Sequence, residues 1–216
     1  MPHSQKELVT FLRKHCVDHV EMIDKLKICY RPDICPFDQL LELLPDEVSV
    51  FDIGCGNGMF LSLVAHYCKP KALGGVEISE KLIRNAKELL LKISEKKPFL
   101  STYDGKSLPD TLAQYNYIFL IDVFHHVPAN DQKKIISEIY LKMKTGATFV
   151  LKDIDASKKI LVKFNKLHDM ILSGETGNEI SLAEAQEQLT NTGFKILSSE
   201  YKRMLVYPHY TIVCSK

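Results

Sequence analysis

The chain has 216 residues, of which 45% are hydrophobic and 25% are charged. These proportions are ordinary for a globular protein, and a chain of this length can bury a sizeable core, so we expect one main domain with appended segments. The 28 Lys and Arg residues are balanced by 27 Asp and Glu residues, which disfavours nucleic acid or an anionic membrane as the partner.

The N-terminus and the cysteines bear on the cellular compartment. The stretch "MPHSQKELVTF" lacks the apolar core of a signal peptide, and no apolar run approaches the length of a membrane span. The six cysteines include no C-x-x-C pair, and their spacing is typical of reduced thiols rather than of a disulfide framework. We therefore predict a cytoplasmic protein without a membrane span.

Two helical patterns come first in the chain. Ser4 and Glu7 have the spacing of a capping box for a helix that would extend to about Lys27, and a short helix, "FDQLLELL", is predicted after Pro36. We expect residues 1–45 to form an N-terminal helical cap. The apolar side chains of the first helix would serve equally to cover a pocket or to pair with another subunit, so the oligomeric state stays open.

Short apolar runs alternate with helical patterns between residues 48 and 154. The predicted strands are "VSVFDI", "KALGGVEI", "PFLSTY", "YNYIFLIDVF" and "ATFVLKDI". The predicted helices are "GMFLSLVAHYC", a helix capped by Ser79 that extends to about Glu95, and "ANDQKKIISEIYLKMK", which we expect Gly146 to end. This alternation predicts an α/β fold, with a parallel sheet and helices on both of its faces.

The last quarter of the chain has its own pattern. A helical stretch over about 157–173 and a loop precede Ser181 and Glu184, which repeat the capping-box spacing before a helix that Gly193 ends. "FKILSSEYKRM" and "YPHYTIVCSK" are predicted to pair as antiparallel strands. We expect residues 46–216 to form the main domain, with residues 156–192 as a helical cover over its cleft.

The first predicted strand ends in a glycine-rich loop, where an open α/β sheet binds its ligand. The loop is Gly54-Cys55-Gly56-Asn57-Gly58, and Met59 stands where the dinucleotide fingerprint G-x-G-x-x-G needs its last glycine. This departure disfavours a nicotinamide-dependent reductase. The phosphate-loop pattern also fails, because no lysine follows the glycines. The loop thus lets a ligand approach the backbone without matching either phosphate signature.

Two acidic residues narrow the choice of ligand. Asp52 directly precedes the glycines, where its carboxylate would repel a pyrophosphate and attract a cation or an amine. Glu77 ends the second predicted strand, about 20 residues beyond the glycines, where an acid can accept hydrogen bonds from both hydroxyls of a ribose. An adenosine compound that carries an amine and no phosphate fits both acids, and S-adenosylmethionine is such a compound.

Four motifs occur in a fixed order along the chain, namely "VFDIGCGNG", "GVEIS", "YDG" and "IDVFHHVP". The ordered set resembles the successive motifs of class I S-adenosylmethionine-dependent methyltransferases, over residues 48–154. The resemblance implies a Rossmann-like, doubly wound and mostly parallel sheet of seven strands, with the last strand antiparallel. It also implies that S-adenosylmethionine is the cofactor.

The resemblance further implies roles for individual residues. The glycines of the loop would let the methionine moiety approach, and Asp52 would lie near its amino group. Glu77 would accept hydrogen bonds from the ribose hydroxyls, and Ile78 would pack on the adenine. The remaining positions are Asp104 and Gly105, of which the aspartate would bind the adenine amino group, and Ile121 and Asp122, which would face the methionine and the reactive methyl group.

Histidines and one arginine complete the candidate residues. His125 and His126 follow the fourth predicted strand, where a neutral imidazole could take a proton from an acceptor hydroxyl or amine; we place His126 somewhat ahead of His125. Arg31 could bind a carboxylate of the cofactor or of the substrate. His15 and His19 have metal-ligand spacing, but no second ligand pair is evident, and we expect no metal.

The sequence also bears on the acceptor. The position after the fourth strand reads "IDVF" and so lacks the [DNS]-P-P-[YF] tetrad of enzymes that methylate exocyclic amines of DNA or of glutamine. No basic extension suggests nucleic acid binding. A helical cover over the cleft suits a small, enclosed acceptor. The sequence thus predicts methyl transfer to an oxygen, nitrogen or carboxylate of a small molecule; the alternative is a non-catalytic cofactor-binding subunit or scaffold.

Overall fold

The strands follow the predicted order along the chain. The computed structural model describes residues 4–16, 30–31, 33–157 and 177–216. Within these ranges there are seven strands: β1 Ser49–Ile53, β2 Ala72–Glu77, β3 Phe99–Thr102, β4 Tyr117–Ile121, β5 Thr148–Ile154, β6 Lys195–Met204 and β7 Tyr207–Ser215. They form a mixed sheet of order β3-β2-β1-β4-β5-β7-β6. The predicted α/β fold with seven strands and an antiparallel last strand is confirmed.

Helices flank the strands. In the described part of the chain they are α1 Gln5–His15, α2 Phe37–Glu42, α3 Met59–Tyr67, α4 Glu80–Ile93, α5 Ala129–Lys142 and α6 Leu182–Thr192, with 3₁₀ helices at Asp110–Gln114 and Phe124–His126. None of the described helices is long and apolar enough to cross a membrane.

The chain divides into two compact units, Met1–Lys106 and Ser107–Lys216. The predicted division into residues 1–45 and 46–216 stays a prediction. So does the cover over residues 156–192, since residues 158–176 lie outside the described ranges.

In the first unit, three parallel strands bring their carboxyl ends to one edge. β2 pairs with β1, where Ile53 lies opposite Val76, and with β3, where Glu77 lies opposite Thr102. All five residues of β1 are buried, as the apolar run predicts for a strand covered on both faces. The carboxyl ends of β1, β2 and β3 therefore lie side by side, and most of the predicted cofactor residues are at these ends or in the segments that follow them.

Both predicted helices of the N-terminal segment are present in the described ranges. Ser4 and Glu7 form the capping box, in which each side chain accepts a hydrogen bond from the backbone N–H of the other residue. The first helix ends at His15 rather than near Lys27, and residues 17–29 lie outside the described ranges. Its buried side chains are Leu8, Val9, Phe11 and Leu12.

In the second unit, β4 and β5 are parallel, and β7 is antiparallel to both β5 and β6. The predicted terminal hairpin is thus confirmed. Ser181 caps α6 through a second capping box, and Gly193 ends that helix in a left-handed conformation, φ +113°. These two ends follow from local sequence alone, because the cap side chain and the glycine satisfy backbone groups that the helix leaves unpaired.

Two predicted boundaries differ from the structure. β4 stops at Ile121 because Asp122 has φ +52°, a left-handed conformation that breaks the strand ladder and that Asp tolerates better than most residues. A short 3₁₀ helix follows, with both candidate histidines in it. The helix α5 has Met143 as its C-terminal cap. Gly146, φ +79°, instead lies in the turn before β5, so the prediction that it ends the helix was wrong.

The glycine loop offers a matched pair of substitutions. At Gly58, φ +82°, an added Cβ would lie 3.1 Å from the Ala86 Cβ, whereas at Gly56, φ +55°, it would meet no atom within 4 Å. Both Gly→Ala changes introduce left-handed strain of about 1–2 kcal/mol. Gly58→Ala adds an overpacking cost of about 1–3 kcal/mol. We expect urea unfolding to show a larger loss of stability for Gly58→Ala than for Gly56→Ala; equal losses would contradict this packing.

Candidate active site

The glycine loop is hydrogen-bonded to the end of β2. The N–H groups of Gly54 and Cys55 both donate to the carbonyl oxygen of Val76, at 2.7 and 3.0 Å. The N–H of Gly56 donates to Oε2 of Glu77 at 3.1 Å. Left-handed φ angles at three loop glycines allow this path. The loop backbone at Gly56 borders open space, so a ligand can come close to it there.

Asp52 is a buried carboxylate whose hydrogen bonding is incomplete. Its side chain is 3% exposed, and its Oδ1 has no hydrogen-bond partner among the described residues. Burial raises the pKa of Asp52 to about 8; Arg31 lowers it in part and Glu77 raises it further. A buried carboxylate oxygen without a donor suits a ligand cation. The residues present therefore fit the ammonium group of S-adenosylmethionine.

Glu77 is held by backbone donors at both of its oxygens. Oε2 accepts from the N–H of Gly56 and Oε1 from the N–H of Ser79, each at 3.1 Å. Each oxygen keeps a second lone pair, since a carboxylate offers about four acceptor positions. The carboxylate is thus oriented in advance and can accept from two neighbouring hydroxyls, the arrangement that a ribose requires.

The next predicted cofactor residues follow β2 and β3. Ile78 is 68% exposed, an unusual position for a large apolar side chain and a suitable one for packing on a planar ring. Asp104 accepts a hydrogen bond from the N–H of Lys106 at 2.8 Å, and Gly105 has φ +78°. Because Tyr103 donates from its backbone to the Glu77 carbonyl at 2.9 Å, this turn begins beside the end of β2.

The structure differentiates the remaining cofactor candidates of the first unit. Cys55 is buried, and burial together with Asp52 and Glu77 holds the pKa of its thiol well above the usual range. The thiol is therefore protonated and unsuited to act as a nucleophile. Arg31 is half-buried and close enough to affect Asp52 electrostatically. Asn57 is also half-buried within the loop.

In the second unit, Asp122 binds a buried lysine. Lys152 Nζ donates to Asp122 Oδ1 at 2.5 Å, and the lysine side chain is 0% exposed. The pair joins neighbouring strands, because Ile121 lies opposite Lys152 in the register of β4 and β5. A buried ammonium group requires such a partner. One carboxylate oxygen of Asp122 is thus used within the protein, and Ile121 beside it is buried.

The two candidate histidines have different surroundings. His125 Nδ1 lies 2.5 Å from Asp153 Oδ1, and both side chains are buried. His126 is exposed, with its ring tilted against that of His125 at 4.1 Å between centroids. The structure therefore gives His125 an oriented ring and leaves His126 at the surface. This arrangement is the reverse of the order that the sequence suggested for a base, although the base role of either histidine stays a prediction.

The pairing of Asp153 with His125 was not predicted from the sequence. The stretch "KDID" at the end of β5 alternates sides, so Asp153 and Asp155 share one face. Asp155 accepts from the N–H and hydroxyl of Ser157 at 3.0 and 2.8 Å, a local turn contact. The sequence signal that could have indicated this pairing is the presence of acidic residues at the end of an apolar, buried strand.

The metal prediction concerned His15 and His19. His19 lies outside the described residues. Across residues 4–16, 30–31, 33–157 and 177–216, no group of three or more His, Cys, Asp or Glu side chains is arranged to hold a metal ion. Of the cysteines in these ranges, Cys16, Cys55, Cys68 and Cys214 are free thiols; Cys29 lies outside the ranges.

Comparison with known proteins adds two relatives and a solved structure. The chain is 32% identical over 84 residues to a mitochondrial ubiquinone biosynthesis O-methyltransferase of Saccharomyces cerevisiae, a match over 38% of this chain and 26% of that enzyme. It is 24% identical over 179 residues to a carboxy-S-adenosyl-L-methionine synthase of Nautilia profundicola, over 78% of this chain and 71% of that enzyme. The chain thus spans about a quarter of the yeast enzyme's length.

The fold is also shared with solved structures. Magnesium protoporphyrin IX methyltransferase from Synechocystis PCC 6803, solved with bound SAH, superposes with a TM-score of 0.69 at 19% identity, over 96% of this chain and 94% of that one. A family model described as a methyltransferase domain matches residues 31–199, which is more than half of the chain. The chain therefore belongs to the methyltransferase-domain family.

Proposed function

We propose that this chain transfers a methyl group from S-adenosylmethionine to an oxygen, nitrogen or carboxylate of an enclosed small-molecule acceptor. The observation that carries the proposal is the buried Asp52 carboxylate, which has an oxygen without a partner among the described residues and lies next to an open glycine loop. The sulfonium of the cofactor supplies an activated methyl group when bound. The protein must then hold the cofactor and align an acceptor with it.

The first unit would hold the cofactor through named groups. Asp52 would accept a hydrogen bond from the ammonium group, and Glu77 would accept from the two ribose hydroxyls. Ile78 would cover one face of the adenine, and Asp104 would accept from the adenine amino group. The contacts of Glu77 to two backbone N–H groups support this assignment, because they fix its carboxylate before the ligand arrives.

Smaller contributions would come from three further residues. Arg31 would pair with the cofactor carboxylate, since its charge already lies near Asp52. Cys55 and Asn57 would contribute to cofactor binding through their backbone groups in the glycine loop. In the second unit, Ile121 and Asp122 would border the acceptor, and one of His125 and His126 would accept its proton.

A small acceptor is supported by the charge of the chain. The net charge of +1 offers no general attraction for nucleic acid. The yeast relative is named an O-methyltransferase, which supports oxygen among the three acceptor atoms. An enclosed acceptor is consistent with a cover formed by residues 156–192, which remains a proposal.

A labelling experiment tests the proposal. The protein is incubated with trideuteromethyl S-adenosylmethionine and an extract of its source cell, and the label is located by mass spectrometry in separated small molecules, lipids, protein and nucleic acid. We expect label in one small-molecule fraction and none with Glu77→Ala. Label in protein or nucleic acid would contradict the small acceptor. Cofactor binding without any transfer, restored by a protein partner, would favour the non-catalytic subunit.

The pKa of Asp52 generates a second prediction. The cofactor ammonium binds the ionised carboxylate, so below a pKa of about 8 binding must also displace a proton. We expect the ratio of cofactor dissociation constants, Asp52→Asn over wild type, to increase from about pH 6 to about pH 9, by at most about tenfold per unit. Taking the ratio cancels the titration of the cofactor amine itself. A ratio near one at every pH would show that Asp52 does not contact the ammonium group, and a high ratio that does not change with pH would contradict the raised pKa.

The same shift predicts how the unliganded protein responds to pH. The folded pKa of Asp52 lies above its unfolded value, so the folded state binds the proton more tightly. Its contribution to stability is therefore complete below about pH 4 and is lost progressively as pH rises to about 8. The melting temperature of Asp52→Asn should therefore decrease less than that of wild type as pH rises to about 8.

A further inference from the structure

The strand β6 forms one edge of the sheet. It comes last in the strand order, and among the described strands it pairs with β7 alone. It has ten residues, and none of them is buried. The pairing with β7 is regular from Ser198 to Met204, because the register shift in this pair lies between Ile196 and Ser198. A long, exposed and regular edge strand is a template for pairing with another strand.

Three large apolar side chains are exposed along this edge. Leu197 is 55% exposed, Tyr201 45% and Leu205 60%. Leu205 also has φ +53° in the two-residue turn between β6 and β7, a position that favours glycine, asparagine or aspartate. A leucine that is both exposed and held in a strained conformation costs the isolated chain stability. These features favour an interface in which another surface covers the edge.

The backbone groups of alternate β6 residues are directed to this edge. In an antiparallel pair, residues alternate between those that bond the neighbouring strand and those whose N–H and C=O point away from it. The carbonyl of Pro208 in β7 accepts from the N–H of Asp155 at 2.8 Å, so the backbone of Pro208 bonds on the side away from β6. Arg203 lies opposite Pro208. The backbone groups of Arg203, and by alternation those of Tyr201 and Ser199, therefore point away from β7.

The charges on β6 select one way of pairing two copies of the strand. An antiparallel pair centred on Tyr201 places Glu200 of each copy opposite Lys202 of the other. Centring the pair on Glu200 would oppose two carboxylates, and centring it on Lys202 would oppose two ammonium groups. Centring it on Ser199 would leave Glu200 opposite Ser198. Because opposite charges stabilise a cross-strand pair and like charges destabilise it, the register at Tyr201 is favoured.

The same register brings the exposed apolar side chains together. The Tyr201 residues of the two copies lie directly opposite each other at the centre of the pair. Leu197 is four residues before Tyr201 and Leu205 is four residues after it, so Leu197 of each copy comes level with Leu205 of the other. Aromatic cross-strand pairs stabilise a sheet, and contact with Leu197 would cover the exposed Leu205 side chain.

From these observations we propose that β6 is a self-association surface, at which two copies of this chain pair antiparallel about Tyr201 and continue one sheet. The surface belongs to the second unit alone, and the inference does not depend on the proposed function. One pair of strands buries less area than the interface of a typical stable dimer. We therefore expect a reversible equilibrium between monomer and dimer, with a dissociation constant on the order of micromolar.

Sedimentation equilibrium of the full chain tests the association. Glu200→Lys replaces both attractive pairs by repulsive ones and should raise the dimer dissociation constant about tenfold or more, as should Lys202→Glu. An equimolar mixture of the two variants should associate again, because each charge then faces an opposite one. Glu187→Lys, the same change at an exposed residue of α6, serves as the matched control and should behave as wild type.

Three results would overturn the proposal. The first is a wild-type chain that stays monomeric up to about 1 mM. The second is an unchanged dissociation constant in Glu200→Lys, which would place the dimer contact on another surface. The third is a mixture of Glu200→Lys and Lys202→Glu that associates no more tightly than either variant alone, since charge pairing across the strands would then be absent.

A disulfide tests the register. In the proposed pair the Cα atoms of the two Tyr201 residues are about 5.5 Å apart, within the range that a disulfide spans. We expect mild oxidation of Tyr201→Cys to give a covalent dimer on non-reducing electrophoresis. Ser199→Cys is the matched control: its two copies would be four residues apart along the strands, about 14 Å, and should not cross-link. Equal cross-linking of both variants, or none with Tyr201→Cys, would overturn the pairing about Tyr201.

Discussion

Burial of Asp52 is the constraint on which the proposed cofactor site of the first unit depends. The carboxylate lies at the end of a strand covered on both faces, and its Oδ1 finds no donor within the described ranges. A buried polar atom without a partner typically costs about 1–3 kcal/mol, and more when it is charged. The resulting rise in pKa means that the unliganded protein keeps a proton there. A cationic ligand would offset that cost. The unpartnered carboxylate of the free protein would therefore favour a cation over a neutral or anionic ligand.

Glu77 and the acids of the second unit show the opposite arrangement. Glu77 is held by two backbone donors and Asp122 by Lys152, and Asp153 accepts from two backbone N–H groups and lies 2.5 Å from Nδ1 of His125. Satisfied acids of this kind are rigid, and their geometry does not need a ligand. The molecule thus combines one carboxylate that requires a partner with several that orient other groups. The acid whose hydrogen bonding is incomplete thus lies in the first unit, and Asp122 and Asp153 of the second unit have partners within that unit.

Most helices and strands could be predicted from the sequence, because the contacts that define their ends and their spacing are between residues close in the chain. Both capping boxes, the strand–helix alternation and Gly193 follow from contacts between residues close in the chain. The end of β4 at Asp122 could not be predicted, since its left-handed backbone accompanies a bond to Lys152, 30 residues away. The pairing of His125 with Asp153, 28 residues apart, was missed for the same reason. The glycine loop and Glu77 were predicted as cofactor residues because an open α/β sheet binds its ligand at the carboxyl ends of its strands, and their role stays a prediction.

The central claim is that Asp52 and Glu77 together receive the cofactor. The most direct measurement is a crystal structure of the full chain with S-adenosylhomocysteine, the demethylated product, which retains the amine and the ribose. We expect the ligand amine within hydrogen-bond distance of Asp52 and both ribose hydroxyls within hydrogen-bond distance of the carboxylate of Glu77. A ligand bound elsewhere, or bound at the glycine loop with Asp52 still lacking a donor, would contradict it.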